Sequence, residues 1–263
     1  MKIAIFLKQV PDTDEVKMDP ERGTMIREGV GGIVNPLDLN ALEAAMQIRA
    51  KGDSVTIISM GPQKAEESLR EGLALGAGRA ILATDRAFAG GDSWATAKVL
   101  ASILGKIGAP DLIIAGEKAT DGETGQVGPE IAALLGIPLA TRVTRLERIP
   151  DGIEVDCTLE DGILTQRISL PCLVTVLSDI NALPLPTLSG KKGAYAMKIE
   201  TVTAESLGFG ANETGLTASP TKVVKIDTPK ITRSAEKFLA KRSDELDAGL
   251  DRIVEILSDC LVI

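Results

Sequence analysis

The sequence predicts a doubly wound α/β fold: a mostly parallel sheet, with an antiparallel β meander and a C-terminal helical extension. Three observations lead there. Short apolar runs alternate with helical patterns from Lys2 to Ala140. The runs are mostly apolar and β-branched rather than strictly alternating, as strands covered on both faces tend to be. After Pro138 the pattern changes to strand-like runs joined by Asp-Gly pairs.

In chain order, Ile3–Leu7, Val55–Met60, Arg79–Ala83 and Leu112–Ala115 read as buried strands, each bounded by Gly, Pro or Asp. Between them, Asn40–Ala50, Gln63–Leu75 and Ser93–Ile107 read as helices. In the last, Ala95, Val99, Leu100, Ile103, Leu104 and Ile107 mark one face, and Asp92 or Ser93 suits the N-cap. Arg142–Ile149, Ile153–Glu160 and Ile163–Leu170 form the meander. Asp151-Gly152 and Asp161-Gly162 are expected to supply the positive φ of tight hairpins. Leu173–Leu177 returns as a buried strand. Ile180–Met197, with Pro184 and Pro186, has neither helical nor strand periodicity. The chain closes on a helix striped by Leu246, Leu250, Ile253, Leu257 and Leu261. The expected organisation is an α/β domain over 1–179, an arm over 180–200 and a C-terminal extension over 201–263.

Composition excludes several chemistries. With 29 Lys and Arg against 37 Asp and Glu the net charge is −8, which disfavours nucleic-acid binding, and one Trp, one Tyr and four Phe make no base-stacking platform. The absence of histidine removes Ser-His and Cys-His nucleophiles and imidazole proton shuttles. Cys157, Cys172 and Cys260 lack metal-site spacing, so no metal site is expected, and any redox chemistry needs a borrowed cofactor. No apolar run approaches the roughly 18 residues of a membrane span, and the first strand begins at Lys2; both point to a cytoplasmic protein.

Ala115–Pro129 is the most informative segment. It follows a buried strand and opens a helix, with Pro129 suited to the first turn. Its glycines allow close backbone approach. Thr120, Thr124, Lys118 and the helix N-terminal amides supply donors for a diphosphate. An ordinary Gly-rich connector is the plain alternative, disfavoured by the length of the run. Neither GxGxxG nor GxxxxGK[ST] occurs. Val34–Asn40 lies at the same edge: Asn35, extended by the following Pro36, could present its amide to a groove, or Asp38 or Asn40 could simply cap a helix. Asp92, Ser93 and Thr96 open a third helix there, with capping again the plain alternative and Trp94 a core or interface residue. On the proline-stiffened arm, Leu183, Leu185, Leu188, Tyr195 and Met197 beside Lys191 and Lys192 suit insertion into a partner, or equally a packed connector. Asp12, Asp14 and Glu15 read as a solvated loop, and Lys230, Arg233, Lys237, Lys241 and Arg242 as a solvated or subunit-facing surface.

In order, these segments resemble the β subunit of electron transfer flavoproteins, over essentially the whole chain. The resemblance rests on Lys8-Gln9-Val10, Val34–Asp38, Ser59-Met60-Gly61-Pro62, Leu75-Gly76-Ala77-Gly78, Gly116–Pro129 and the arm through Asn181 and Leu188. It implies a Rossmann-like, adenine-nucleotide-binding fold and a heterodimer with an α subunit. The nucleotide is AMP in the housekeeping type and FAD in the electron-bifurcating type. By resemblance its contacts are Phe6, Asn35, Pro36, Leu37, Asp38, Met60 and the run Lys118, Ala119, Thr120, Asp121, Gly122, Glu123, Thr124, Gly125, Gln126, Val127, Gly128 and Pro129. Leu188 matches the leucine that anchors in an acyl-CoA dehydrogenase, and the C-terminal segment matches one that reaches over the α subunit. Asp38 after Asn-Pro and the wording Ala119–Pro129 look like the bifurcating members, which implies FAD here, NADH as hydride donor, and ferredoxin or flavodoxin as low-potential acceptor.

Overall fold

The computed structural model describes residues 1–12, 31–183, 185–224 and 242–259. The chain divides into two units, Met1–Lys225 and Ile226–Ile263. In the first, the elements are β1 (Lys2–Phe6), β2 (Gln9–Pro11), β3 (Gly32–Val34), α1 (Pro36–Ile48), β4 (Ser54–Met60), α2 (Glu66–Ala74), β5 (Arg79–Ala83), α3 (Ser93–Lys106), β6 (Leu112–Gly116) and α4 (Val127–Leu135). There follow β7 (Leu139–Ile149), β8 (Gly152–Thr158), β9 (Ile163–Ile168), β10 (Cys172–Val176), α5 (Leu188–Ala196), β11 (Ile199–Val202), α6 (Ala204–Leu207) and α7 (Gly215–Ala218). The described part of the second unit is α8 (Ser243–Asp259), where Leu246, Leu250 and Ile253 lie half exposed; Leu261 and Cys260 fall outside the described residues.

Nine strands form one sheet in the order β11-β5-β4-β1-β6-β10-β7-β8-β9. Every pairing from β11 to β7 is parallel, and β7-β8-β9 is antiparallel. Strand alternation sends Ile3, Ile5 and Leu7 to one face, under α1, α2 and α5, where Leu42, Leu69, Leu73 and Ala194 meet them. Ala4 and Phe6 go to the other, under α3 and α4, against Leu100, Leu104 and Ile131. Burial on both faces is why these strands read as unbroken apolar runs. This is the doubly wound architecture that the sequence predicts.

The meander extends the sheet and also packs on α1. β7 begins beside β10, but its ladder is irregular around Arg142, a non-glycine residue with φ +57. Beyond that bulge Val143, Leu146, Ile153 and Val155 share a core with α1. Arg148 then reaches Asp53, the residue before β4, at 2.7 Å. A bulge with one left-handed residue bends the strand enough to turn it across the helix.

Three expectations need correction. Gly162 has no positive φ, so only Gly152 (φ +157) needs glycine, because a Cβ there would overlap the Ile168 carbonyl. Residues within 180–197 do form a helix, α5. Thr187 caps it by accepting from the Gly190 N–H at 3.0 Å, and Gly190 and Ala194 seat it on α2. Neither Asp38 nor Asn40 caps α1: the N-cap is Asn35, with Pro36 in the first turn and no side-chain cap bond.

Candidate nucleotide site

From β1 the chain winds through α1 and α2 to β4 and β5, then recrosses by way of α3 to β6 on the other side of β1. The strand order therefore reverses between β1 and β6. In open α/β sheets a crevice forms at the carboxyl ends of such a pair. Phe6 and Gly116 end these two strands, and Met60 ends β4 beside them.

Asp38, in the first turn of α1, joins the two sides of the crevice. Its Oδ2 accepts from the Lys8 amide at 2.8 Å, and the Gly116 amide also donates to the carboxyl. Burial raises its pKa from 3.8 to about 7, outweighing hydrogen bonds from Lys8, Asn35 and Gly116. Gly116 must lack a side chain here, since a Cβ would fall 2.8 Å from the Leu37 carbonyl carbon. Pro36 and Leu37 remain partly exposed beside it.

Asn35 is fully buried and does not present its amide to open space. Its Nδ2 donates to the Lys118 carbonyl at 3.0 Å, and its Oδ1 accepts from the Thr120 amide at 3.3 Å. The side chain suited to capping α1 instead holds the loop between β6 and α4. That loop bends at two left-handed residues, Glu123 (φ +50) and Gly125 (φ +62). Among the described residues the amides of Gly122, Thr124 and Gly125 have no hydrogen-bond acceptor, and the Thr120, Thr124 and Gln126 side chains are exposed. Amides turned outward at such bends, just before a helix N-terminus, make an anion-binding concavity. The cations nearby are already paired: Lys118 with Glu123 at 3.0 Å, and Lys8 with Asp121 at 2.6 Å. The grip available to an anion is therefore mainly main-chain. Ala119 and Val127 lie partly buried, Gly128 is buried, and Pro129 sits in the first turn of α4 as expected.

Asp92 is the N-cap of α3, accepting from the Ala95 amide at 3.0 Å; it also receives the Thr221 amide and hydroxyl at 2.9 and 2.7 Å. Its carboxylate thus ties residues 219–221 to the helix. Thr96 lies partly exposed on the next turn, and Trp94 is 37% exposed. Ser93 does face the loop: its hydroxyl lies 3.0 Å from both Gln126 Oε1 and Glu130 Oε1. Glu130 keeps one buried oxygen without a partner, and burial raises its pKa.

On the arm, Leu185 is 91% and Leu188 86% exposed, with Leu183, Lys191, Lys192 and Tyr195 also exposed; Pro184 lies outside the described residues. The arm is rooted by Asn40 and Asn181: the Asn40 Nδ2 donates to Asn181 Oδ1 at 2.9 Å, and the Asn181 Nδ2 donates to the Asn40 main-chain carbonyl at 3.0 Å. Arg70 donates to the Ala194 and Met197 carbonyls at 2.7 and 2.6 Å. Asp14, Glu15, Lys230, Arg233, Lys237 and Lys241 fall outside the described residues; Asp12 is exposed and Arg242 pairs with Asp244. Sequence reasoning gave Lys8 and Glu117 no role, although both lie in segments it singled out, and it missed Thr175 altogether. The one signal for Thr175 is a hydroxyl inside a strand buried at every position, Cys172–Val176. No helix among the described residues is long and apolar enough to cross a membrane.

Fold and rim together define a doubly wound α/β protein with an anion-competent loop at its switch point. The electron transfer flavoprotein domain family matches residues 22–207. The electron transfer flavoprotein subunit beta of Thermoanaerobacterium thermosaccharolyticum is 45% identical, over 96% of this chain and 98% of its own. The caffeyl-CoA reductase-Etf complex subunit CarD of Acetobacterium woodii is 41% identical, over 95% and 96%, and the protein FixA of Azorhizobium caulinodans 39%, over 87% and 85%. The chain belongs to the electron transfer flavoprotein family, as one of its β subunits.

Proposed function

We propose that this chain pairs with an α subunit and holds FAD at the β1/β6 crevice, as the NADH-oxidising half of an electron-bifurcating flavoprotein. The observation that carries the reading is the set of amides at Gly122, Thr124 and Gly125, which have no acceptor among the described residues and precede the α4 N-terminus, while the neighbouring lysines are neutralised. A donor row of this kind fits a nucleotide phosphate, whose charge it meets with oriented dipoles rather than mobile side chains. The wording Ala119–Pro129 and Asp38 after Asn-Pro favour FAD over AMP, and the likeness to a subunit of a caffeyl-CoA reductase–Etf complex agrees with coupling to an acyl-CoA-type partner.

When bound, the flavin would accept hydride from NADH and divide the electrons between ferredoxin or flavodoxin and, through a flavin on the α subunit, an acyl-CoA dehydrogenase. The residues of this chain bind and orient. Asn35 fixes the loop, Thr120, Thr124 and Gln126 offer polar side chains, and Phe6 and Met60 line the strand ends. Leu188, on a capped helix braced by Arg70, is the anchor offered to the dehydrogenase, and the C-terminal extension over 201–263 is the part that reaches the α subunit. We place this assembly in the cytoplasm.

The test is a nucleotide count on the purified α/β heterodimer. Two flavins per dimer, with anaerobic bleaching by NADH, support the reading. One flavin plus AMP replaces it with a carrier whose nucleotide is structural. A subunit retaining neither nucleotide refutes the site.

A further inference from the structure

Glu117 and Thr175 stand at the base of the 117–126 loop, and neither belongs to the residues assigned above to the nucleotide. The Thr175 side chain is buried, and its two branches do different work. Its hydroxyl donates to Glu117 Oε2, at the point where the loop leaves β6. Its methyl lies under Gly128, where a Cβ would come within 2.7 Å of it, so the first turn of α4 rests on that methyl. One residue therefore touches both the entrance and the exit of the loop. The same Glu117 oxygen accepts the Arg142 amide at 3.2 Å, and Thr175 Oγ1 lies 3.4 Å from that amide. Arg142 is the left-handed corner of β7, and its Nε is anchored on the Thr158 carbonyl at 3.0 Å. A strained non-glycine residue persists where its surroundings over-determine it. Here the surroundings are the Glu117 carboxylate and the end of β8. The loop also closes on its own root, since a Cβ on Gly125 would stand 3.5 Å from the Glu117 carbonyl.

We propose that Glu117 and Thr175 are positioning residues: a clamp in which the Glu117 carboxylate and the Thr175 hydroxyl fix the entrance of the 117–126 loop, while the Thr175 methyl seats the first turn of α4 at its exit, and which so pre-orders the open amides for a nucleotide phosphate. This rests on the nucleotide reading of the rim. The gain is pre-organisation, since a loop already held in its bound shape loses less freedom when the anion arrives.

Variants that split the two branches test it. Thr175→Val keeps the methyl and removes the hydroxyl, leaving a partly buried carboxylate oxygen and a main-chain amide with poorer partners. Glu117→Ala removes the acceptor, whereas Glu117→Gln keeps a carbonyl oxygen able to accept both bonds. Each is made in the full chain within the α/β heterodimer, stripped of nucleotide, with FAD and AMP as probes in calorimetric titrations. Thr175→Val and Glu117→Ala are each expected to weaken whichever probe the unaltered protein takes up by about tenfold, and Glu117→Gln to restore most of the loss. Amide hydrogen exchange without nucleotide should quicken in 117–128 for Thr175→Val and Glu117→Ala but not in β1, β4 or β5. Unchanged affinity and exchange in both would overturn the clamp, as would Glu117→Gln behaving like Glu117→Ala. If the unaltered heterodimer binds neither probe, the nucleotide reading fails instead, and exchange in 117–128 still decides whether the clamp orders the loop.

Discussion

Replacing Asn35 tests whether this side chain serves the loop or the helix. It occupies the N-cap of α1, where Ser, Asp or Asn would ordinarily satisfy a free helix amide, yet it makes no such bond. Its carboxamide bridges Lys118 O and Thr120 N from a fully buried position. Asn35→Ala removes these two hydrogen bonds and the one to Asp38, about 1 kcal/mol each, so about 3 kcal/mol is lost, which for a unit of this size lowers Tm by about 6–12 °C. Asn35→Asp should be worse. One oxygen can still accept from Thr120, but the other then faces the Lys118 carbonyl with no proton between them. It also stands near the buried Asp38 carboxyl, adding about 1–3 kcal/mol. Asn35→Ser supplies a good capping group too short to span to the loop, and should track Asn35→Ala. Differential scanning calorimetry of the three variants, with nucleotide content measured in parallel, is the assay. If Asn35→Ser matched the unaltered protein, or Asn35→Asp were the mildest change, the side chain would be capping α1 and the bridge would be incidental.

Asp38 sets a pH window of its own. Its folded pKa of about 7 lies above the ordinary 3.8, so its contribution to stability is full below about pH 4 and is lost as the pH rises to 7. Asp53, Asp85 and Asp156, whose pKa values are lowered by hydrogen bonds or arginine, act oppositely and at lower pH, Asp156 near about 2. Asp38→Asn should therefore flatten the urea-unfolding profile between pH 4 and 7 while leaving the acid limb; an unaltered slope would refute the assignment. Gly116→Ala should cost about 1–3 kcal/mol by forcing the first turn of α1 away from β6, while Gly122→Ala, where a Cβ meets nothing within 4 Å, should be close to neutral in the same urea titration. Leu188→Ala should leave Tm and nucleotide content unchanged, because the side chain is 86% exposed, but slow electron exchange with an acyl-CoA dehydrogenase in stopped-flow measurements; loss of nucleotide would undo the assignment of the arm.

The parallel core was legible because its strands are buried on both faces, and an unbroken run such as Leu112–Ala115 is what such burial selects. Helix α3 was legible through its stripe and its Asp92 cap. What the sequence hid depends on tertiary contacts. Two prolines and two glycines argue against a helix near α5, yet α2 offers a surface close enough to reward small residues at Gly190 and Ala194. β11 is four residues long and pairs with β5 across more than a hundred residues of sequence, leaving no local trace. At the rim, the sequence pointed to Asn35, Asp38 and the run Lys118–Pro129, which the structure brings to one edge of the sheet, but the use of Asn35 was not legible, because a cap and a bridge need the same residue at the same place. Glu117 and Thr175 were overlooked for a related reason: their partnership joins two strands, and neither residue is unusual alone.

The late arrival of β11 bears on how the protein is made. β5 is complete once the ribosome has passed Ala83, but the strand that covers it begins only at Ile199. At ordinary elongation rates that leaves the edge of β5 away from β4 unpaired for roughly 10 s on every nascent chain. An uncovered apolar edge of that kind invites pairing with neighbouring chains on the same message. Truncations ending before Ile199 would make the condition permanent, and such fragments would be expected in inclusion bodies even though they contain both central strands of the crevice.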